Sequence, residues 1–354
     1  MDPTRLIPQN LPIPVEWGWF YLFQVLTFIV HILVMNVMLG ASIIALVHHL
    51  RGSRETEPLT KTISVKLPFT IAFAVNFGVA PLLFMQVLYG QFLYTSSVLM
   101  AVYWLGVIGL VIAAYASAYV YDFRYASLGG LKTFFIAVTA LCLLATAFIF
   151  TNNMTFMLNP ESWTAYFDNS RGTLLNLGDP TIVPRFLHIV ASSTALAGLA
   201  LALLYQRRKD DPKAQRWVRH GVNWYAFSTM VQMALGLWFL TSLPERVSHL
   251  LLGGSLPHTL VFAAGAILGI FSISNALRYN VGTTAIISVT TISLMVYLRD
   301  MVRDAYLSPY FEVSDRVVTG EYLPFFLFVL TLAAGIAIIV WMVRAAATDP
   351  EVRS

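Results

Sequence analysis

Charge is scarce in this sequence, cysteine is almost absent, and the motifs that mark most soluble enzymes are missing. Of 354 residues only 11% are charged, whereas 58% are hydrophobic. So few polar side chains cannot cover a water-soluble globule, which excludes a soluble domain. The single cysteine, Cys142, lies inside an apolar run. That rules out an intrachain disulfide, a C-x-x-C metal site and a C-x-x-C-H haem attachment, so any haem must be held without a covalent bond. There is no GxxxxGK phosphate loop, internal repeat or low-complexity tract. Residues 1–15, MDPTRLIPQNLPIPV, lack a charged segment followed by an apolar one, and no cleavable signal peptide is expected. The two-residue alternation of a membrane strand is also missing, which argues against a barrel.

What the chain does have is a series of apolar runs of about 20 residues or more, the length that crosses a bilayer as a helix. In hydrocarbon the backbone must satisfy its own hydrogen bonds, so the expected fold is all-α, a polytopic bundle of about nine helices. The runs place them near 17–49, 67–94, 98–120, 131–150, 179–203, 217–243, 257–277, 282–302 and 322–344. Trp17, Trp19 and Tyr21 form an aromatic belt at the start of the first. A single membrane domain, 1–354, is expected, with 17–346 as the bundle. When the loops are assigned alternately, fifteen of the 22 Lys and Arg fall on one side, Lys209 and Arg353 among them. By the positive-inside rule that side is cytoplasmic. Segment 1–16 and the long loop 151–180 are then outside, and the tail 347–354 is inside. The basic residues serve as topological signals in short loops, which speaks against nucleic acid as a partner despite a pI near 9.1.

With the topology assigned, each polar residue has a depth. His188 stands about seven residues into the fifth helix, roughly 10 Å below the outer surface at 1.5 Å per residue. An ionisable group at that depth is costly and is a functional candidate by default. His31, Gln86, Gln91 and His258 fall in the same leaflet, as do Arg299, Asp300, Arg303 and Asp304 at the end of the eighth helix. A single intramembrane histidine can equally be an interhelical hydrogen-bond partner, and the charged group can be interfacial pairing or snorkelling. Two histidines in one leaflet favour ligation of a b-type haem, for which neutral imidazole is a usual axial ligand. His48, His49, His220 and His249 are expected to be solvated at helix ends, and the many Met and Phe residues to be packing. Trp163, Tyr166 and Phe167 of the long loop are expected along the membrane surface.

These residues resemble a known family. PRFLHIVASSTALAGL around His188, followed by a basic loop, is similar to the haem-ligating helix of the large subunit of cytochrome bd quinol oxidases, which reads Phe-Val-His-Thr-Val-Ala-Ser. His31 with Leu39 and Gly40, the stretch NFGVAPLLFMQVLYGQFLYTSS, and Met157, Asn159 and Pro160 match further family motifs in order. The resemblance covers roughly 17–243 well and the last third poorly. It implies haem b on His188 and His31, a quinol as substrate, and a place among the subunits of a respiratory complex in a prokaryotic cytoplasmic membrane.

The departures are as informative. The family glutamate of the second helix is Gln86 here, and the third helix contains no acid, although the family uses glutamates there for oxygen reduction and its proton path. The quinol-binding loop between the sixth and seventh helices is cut to LPERVSHLLLGGSLPH, and the expected axial methionine of the seventh has no clear counterpart unless His258 substitutes. Asp300 with Arg303 resembles the family Glu-x-x-Arg. The expectation is therefore a membrane subunit that oxidises quinol near the outer face, with Asp300 as proton acceptor tuned by Arg303 or Arg299. Its electrons would pass to a partner such as a c-type cytochrome. The alternatives are a haem-free membrane anchor for a periplasmic cytochrome complex and an aberrant terminal oxidase.

Overall fold

A computed structural model describes residues 3–52, 54–208 and 212–348, so Lys209, Arg353 and the end of the tail lie outside the described residues. The chain folds as a bundle of long helices: α1 (Trp17–Leu50), α2 (Glu57–Leu99), α3 (Ala101–Phe123), α4 (Leu131–Leu158), α5 (Ile182–Gln206), α6 (Ala214–Ser242), α8 (Leu256–Leu277), α9 (Val281–Leu307) and α10 (Tyr322–Thr348). A short helix, α7 (Glu245–His249), and one wider turn at Leu250–Gly254 fill the α6–α8 connection. Among the described residues, eight helices are long and apolar enough to cross a membrane alone. α6 alone is not in that set, and joined with α7 and the turn after it across a 120° bend it makes nine. The fold is all-α, as the apolar runs predict.

Several boundaries differ from the pattern in the sequence, each for a physical reason. LYTSS does not turn; Ser96 and Ser97 return their hydroxyls to the carbonyl of Leu93, and α2 continues to Leu99. Its break lies earlier, at Tyr89, whose φ of −129° and ψ of 29° are not helical. There the Arg316 guanidinium takes the carbonyls of Val87 and Leu88 at 2.8 and 2.7 Å, which a straight helix would offer to Gln91 and Phe92. α4 runs on through TNNMTFML to Leu158, so the connection is shorter than 151–180. Asn152 and Asn153 are buried there, and Asn152 Oδ1 accepts from the amide of Asn176 at 3.0 Å. Trp163 is not on the surface: it is 1% exposed and donates Nε1–H to the carbonyl of Phe156, while Tyr166 and Phe167 are exposed.

Close backbone contact holds the centre. A Cβ on Gly40 of α1 would sit within bonding distance of the Ser193 carbonyl of α5, and one on Gly198 would meet Gly221 O of α6 at 2.7 Å. Without a hydrophobic drive between helices in lipid, such small-residue crossings supply the dispersion that holds them. Two apolar clusters fill the bundle, one around Leu39, Ile63, Tyr121 and Trp217 toward the basic loops, the other around Leu88, Phe92, Trp163 and Phe311 at the opposite end. That opposite end carries the N-terminal segment, which pairs with the stretch before α10 through Ile13 N to Val317 O at 2.8 Å. α10 touches the bundle through Trp19 against Phe325, through Phe23 and Phe84 against Phe328, and through the Tyr322 hydroxyl on Glu16, and most of its other residues are exposed.

Gly221→Leu should force α5 from α6, because the new Cβ would lie 2.5 Å from Gly198 O. Overpacking of this kind costs about 1–3 kcal/mol, so the detergent-solubilised protein should melt several degrees lower. An unchanged melting temperature would show that this crossing does not carry the packing.

Candidate functional site

The polar groups of the N-terminal end of the bundle, the face that loop charge assigns to the outside, gather on the last two turns of α9. Asp300 and Arg303 are three residues apart, a spacing that places them on one helix face. They are 0% and 3% exposed, and Arg303 Nη2 lies 2.7 Å from Asp300 Oδ1. Arg299 Nη1 stands 3.8 Å from the same oxygen. Three other helices surround the pair. From α2, the Tyr89 ring lies 4.3 Å under the Arg303 guanidinium, and its hydroxyl donates to Asp304 Oδ1 at 2.6 Å. Met85 Sδ approaches Arg303 Nη1 at 3.5 Å, and from α1 Gln24 Oε1 approaches Nη2 at 3.5 Å. From α4, Met154 Sδ lies 3.3 Å from Arg299 Nη2, and the Arg299 guanidinium covers the Phe28 ring at 4.4 Å.

This cluster is incompletely satisfied. Asp300 Oδ2, Arg303 Nε and Arg299 Nη1 are buried without a hydrogen bond, and so is Arg185 Nε at the start of α5. Arg185 stacks over Phe239 at 5.0 Å. Arg299 and Arg303 thus face the carboxylates of Asp300 and Asp304 while Arg185 has Asp179 nearby, and spare N–H donors remain in a low-dielectric interior. An unsatisfied buried donor costs about 1–3 kcal/mol, more when charged, so the arrangement suits an anionic or hydrogen-accepting guest. Outside the spans, burial lowers Arg316 from the usual guanidinium value. Four acceptors hold it in place, the carbonyls of Leu11, Val87 and Leu88 and Gln91 Oε1.

The candidate histidines are set one by one in helix interfaces. His188 donates Nδ1–H to Gln232 O at 3.0 Å, and the Gln232 amide comes within 3.3 Å of its Nε2. The ring lies over Gly236, where a Cβ would be 3.2 Å away. His31 repeats the device, with Nδ1–H on Ala74 O at 3.0 Å and Gly78 beneath. Its ring is 6.1 Å from Phe28, which ties it to Arg299. No hydrogen bond or ring contact joins His188 to His31 or to the acidic cluster. His258 pairs with Ser255 Oγ at 2.7 Å and is near enough to Asp304 for their charges to interact. Gln86 is half-buried one turn before Tyr89, and no hydrogen bond joins it to the cluster. Among the described residues, no group of three His, Cys, Asp or Glu could hold a metal ion.

At the opposite end, solvated histidines are not what the structure contains. His48 is 4% exposed, and its Nε2 lies 2.8 Å from Nε2 of His220. Because Trp224 Nε1 also donates to His220 Nε2, the proton between the two rings belongs to His48. His49 hydrogen-bonds the Tyr121 hydroxyl at 2.7 Å. His249 is exposed as expected.

The charged residues of the cluster were visible in the sequence; Tyr89, Gln24, Arg185 and Arg316 were not singled out. Gln24 carried a readable signal, an amide within an apolar run. Arg316 gave none, since it sits in a loop and reaches α2 only through the fold.

No family model matches the chain, and no curated protein matches it. Among solved structures it is similar to the bd oxidase from Geobacillus thermodenitrificans, with a TM-score of 0.67 over 97% of this chain and 99% of that one. The identity is 12%, so the likeness is one of fold, and it runs the length of both chains.

Asp300→Ala should strand Arg303 in the interior and cost about 3–5 kcal/mol of stability. Asp300→Ala with Arg303→Met should recover most of it, read as thermal unfolding of the solubilised chain. Equal loss in the single and double variants would show that the two charges are not coupled.

Proposed function

We propose that the chain is a membrane subunit of a respiratory electron-transfer complex, and that it oxidises a quinol at the end of the bundle holding Asp300, Arg303 and Arg299. One observation carries this reading: a buried ion cluster with unsatisfied hydrogen-bonding groups at the membrane boundary, in a chain that shares its fold with a bd oxidase over nearly its whole length. Intramembrane charge is retained where it serves proton or ion traffic.

Oxidation of a quinol releases two electrons and two protons. Asp300 is the proposed proton acceptor, held in place by Arg303 at 2.7 Å. Asp300 is fully enclosed, whereas Asp304, one turn on, is exposed. Asp304 and the Tyr89 hydroxyl it binds therefore form the outward side of the same group, from which protons leave on the outer face. The electrons go to a partner, for which a c-type cytochrome is the proposed class.

The donors present fit a b-type haem held without covalent bonds. His188 and His31 both spend Nδ1–H on a carbonyl, the tautomer and orientation in which Nε2 can ligate iron. The spare N–H groups of Arg185 and Arg299 suit carboxylates such as the propionates. His258 is the candidate for a further ligand, and Gln86 stands where the family has an acid. When bound, the haem supplies a one-electron carrier. A second reading, a haem-free scaffold for a periplasmic cytochrome complex, is favoured by one contact: the Gln232 amide already donates to His188 Nε2.

A pyridine haemochrome assay of the purified complex separates the two, since a scaffold carries no haem b. On the redox reading, His188→Ala loses a b-type component of the absorption spectrum, and a full spectrum in that variant removes the ligand assignment. Asp300→Asn should slow quinol oxidation about 100-fold, within the range of general acid–base catalysis, with the spectrum intact. Unchanged turnover would take Asp300 out of the reaction.

A further inference from the structure

The α6–α8 connection, where a docking loop was missing from the sequence, is occupied by α7 and one wide turn. On the same face of the molecule, a cavity of about 260 Å³ opens between the N-terminal segment, α2 beyond its break, and the turn that follows α9. Ile7, Gln9, Asn10, Gln91, Tyr310 and Phe311 line it, and none of them is charged. The size is just below the ~300–1,000 Å³ of sites for drug-sized ligands, enough for a ring system and not for a long chain.

Two observations give this cavity a chemistry. The first is Gln91, 7% exposed, whose Oε1 accepts from Arg316 Nη2 at 3.2 Å. That contact fixes which end of the carboxamide is which, and leaves Nε2 as a buried donor with nothing to accept it. A group so buried is costly when unpaired, and a ligand oxygen would remove the cost. The second is the wall. The Phe311 ring lies 5.7 Å from Phe92 and 6.1 Å from Tyr89, with the Arg316 guanidinium 5.5 Å from its centre. A flat, electron-rich ring is the natural neighbour of such a surface. Tyr89 is also the residue whose hydroxyl holds Asp304 and whose ring lies under Arg303. One buried ring, Tyr89, therefore stands between the cavity wall at Phe311 and the acid cluster. Trp17, Trp19 and Tyr322, all exposed, mark the interfacial level on this face, so an apolar tail leaving the cavity meets the headgroup region.

We propose that this cavity is the head-group site for the quinol, with Gln91 Nε2 donating to one ring oxygen and Phe311 forming one wall. The proposal rests on the quinol reading above and moves the docking site from the α6–α8 connection to the junction of the N-terminal segment with α2 and α9.

Photolabelling tests it on the full chain in detergent, with an azidoquinone as probe and a short-chain quinone as competitor. The label should map to residues 4–10 or 309–311 and be displaced by the competitor. Gln91→Glu keeps the acceptor for Arg316 and removes the donor, and should weaken labelling at least tenfold. Gln9→Trp should block it by filling the cavity from an exposed segment, with melting temperature unchanged in both variants. Label confined to residues 244–258, or undiminished in both variants, overturns the site. Turnover does not enter this readout, so the cavity can bind quinone even if quinol oxidation is absent, and its failure leaves Asp300 to its own kinetic test.

Discussion

The contact between Asp300 and Arg303 is the constraint around which this end of the bundle is built. Two charges withdrawn from water into a membrane bundle carry a desolvation penalty of several kcal/mol each, and their attraction offsets it only when the geometry is good and other partners are present. Those partners are visible: the π-face of Tyr89, the amide oxygen of Gln24, and sulfur from Met85. Bringing Tyr89 under Arg303 goes with a break in α2, and the break frees two carbonyls that only a charged donor reaching in from elsewhere could satisfy. Arg316 does so from the loop before α10. The ion pair on α9, the bend in α2 and the docking of a distant loop are thus one connected arrangement.

The spans were legible because hydrocarbon imposes length and apolarity on each helix, and the spacing Asp300-x-x-Arg303 was legible because three residues apart is one helix face. What stayed hidden has a common cause. Asn152, Asn153, Ser96 and Ser97 read as loop, yet within a bundle the first three are buried, Ser97 is half-buried, and they bond to carbonyls, amides and each other, which makes a polar helix end as continuous as an apolar one. Trp163 read as interfacial because Trp usually is; here an indole N–H with a buried carbonyl to meet drew it inside. His48 and His220 lie among arginines in the sequence, which suggested water, but their chain positions could not reveal that α1 and α6 would bring the two rings face to face. Each case turns on a partner supplied by another helix, and no local pattern encodes it.

The two ends of the bundle differ in how their polar groups are closed. At the basic end His48, His220 and Trp224 complete one another, and His49 and Tyr121 do the same. At the other end donors remain spare on Arg185, Arg299, Arg303 and Gln91, with Asp300 Oδ2 also unmet. Closed networks rigidify, whereas open ones signal a guest or a reaction. Function is therefore expected at the N-terminal face, the same face on which loop charge and histidine depth converge.

On the proposed reading, that asymmetry bears on how protons are handled. A terminal oxidase must bring protons to a buried site where oxygen is reduced, and a relay through hydrocarbon needs titratable side chains along its length. Between residues 101 and 121, the third span supplies tyrosine, serine and apolar groups and no acid. Asp122 comes only at its end, where it pairs with Lys61 at 3.3 Å among the basic loops. Asp300 and Asp304 are a membrane thickness away, beside the aromatic belt. A group so placed exchanges protons with its own face and not across the bilayer. On the proposed reading, the reaction most consistent with these residues is one that releases protons where they are generated and exports only electrons, which is what oxidation of a quinol by a partner-linked subunit requires and what oxygen reduction does not.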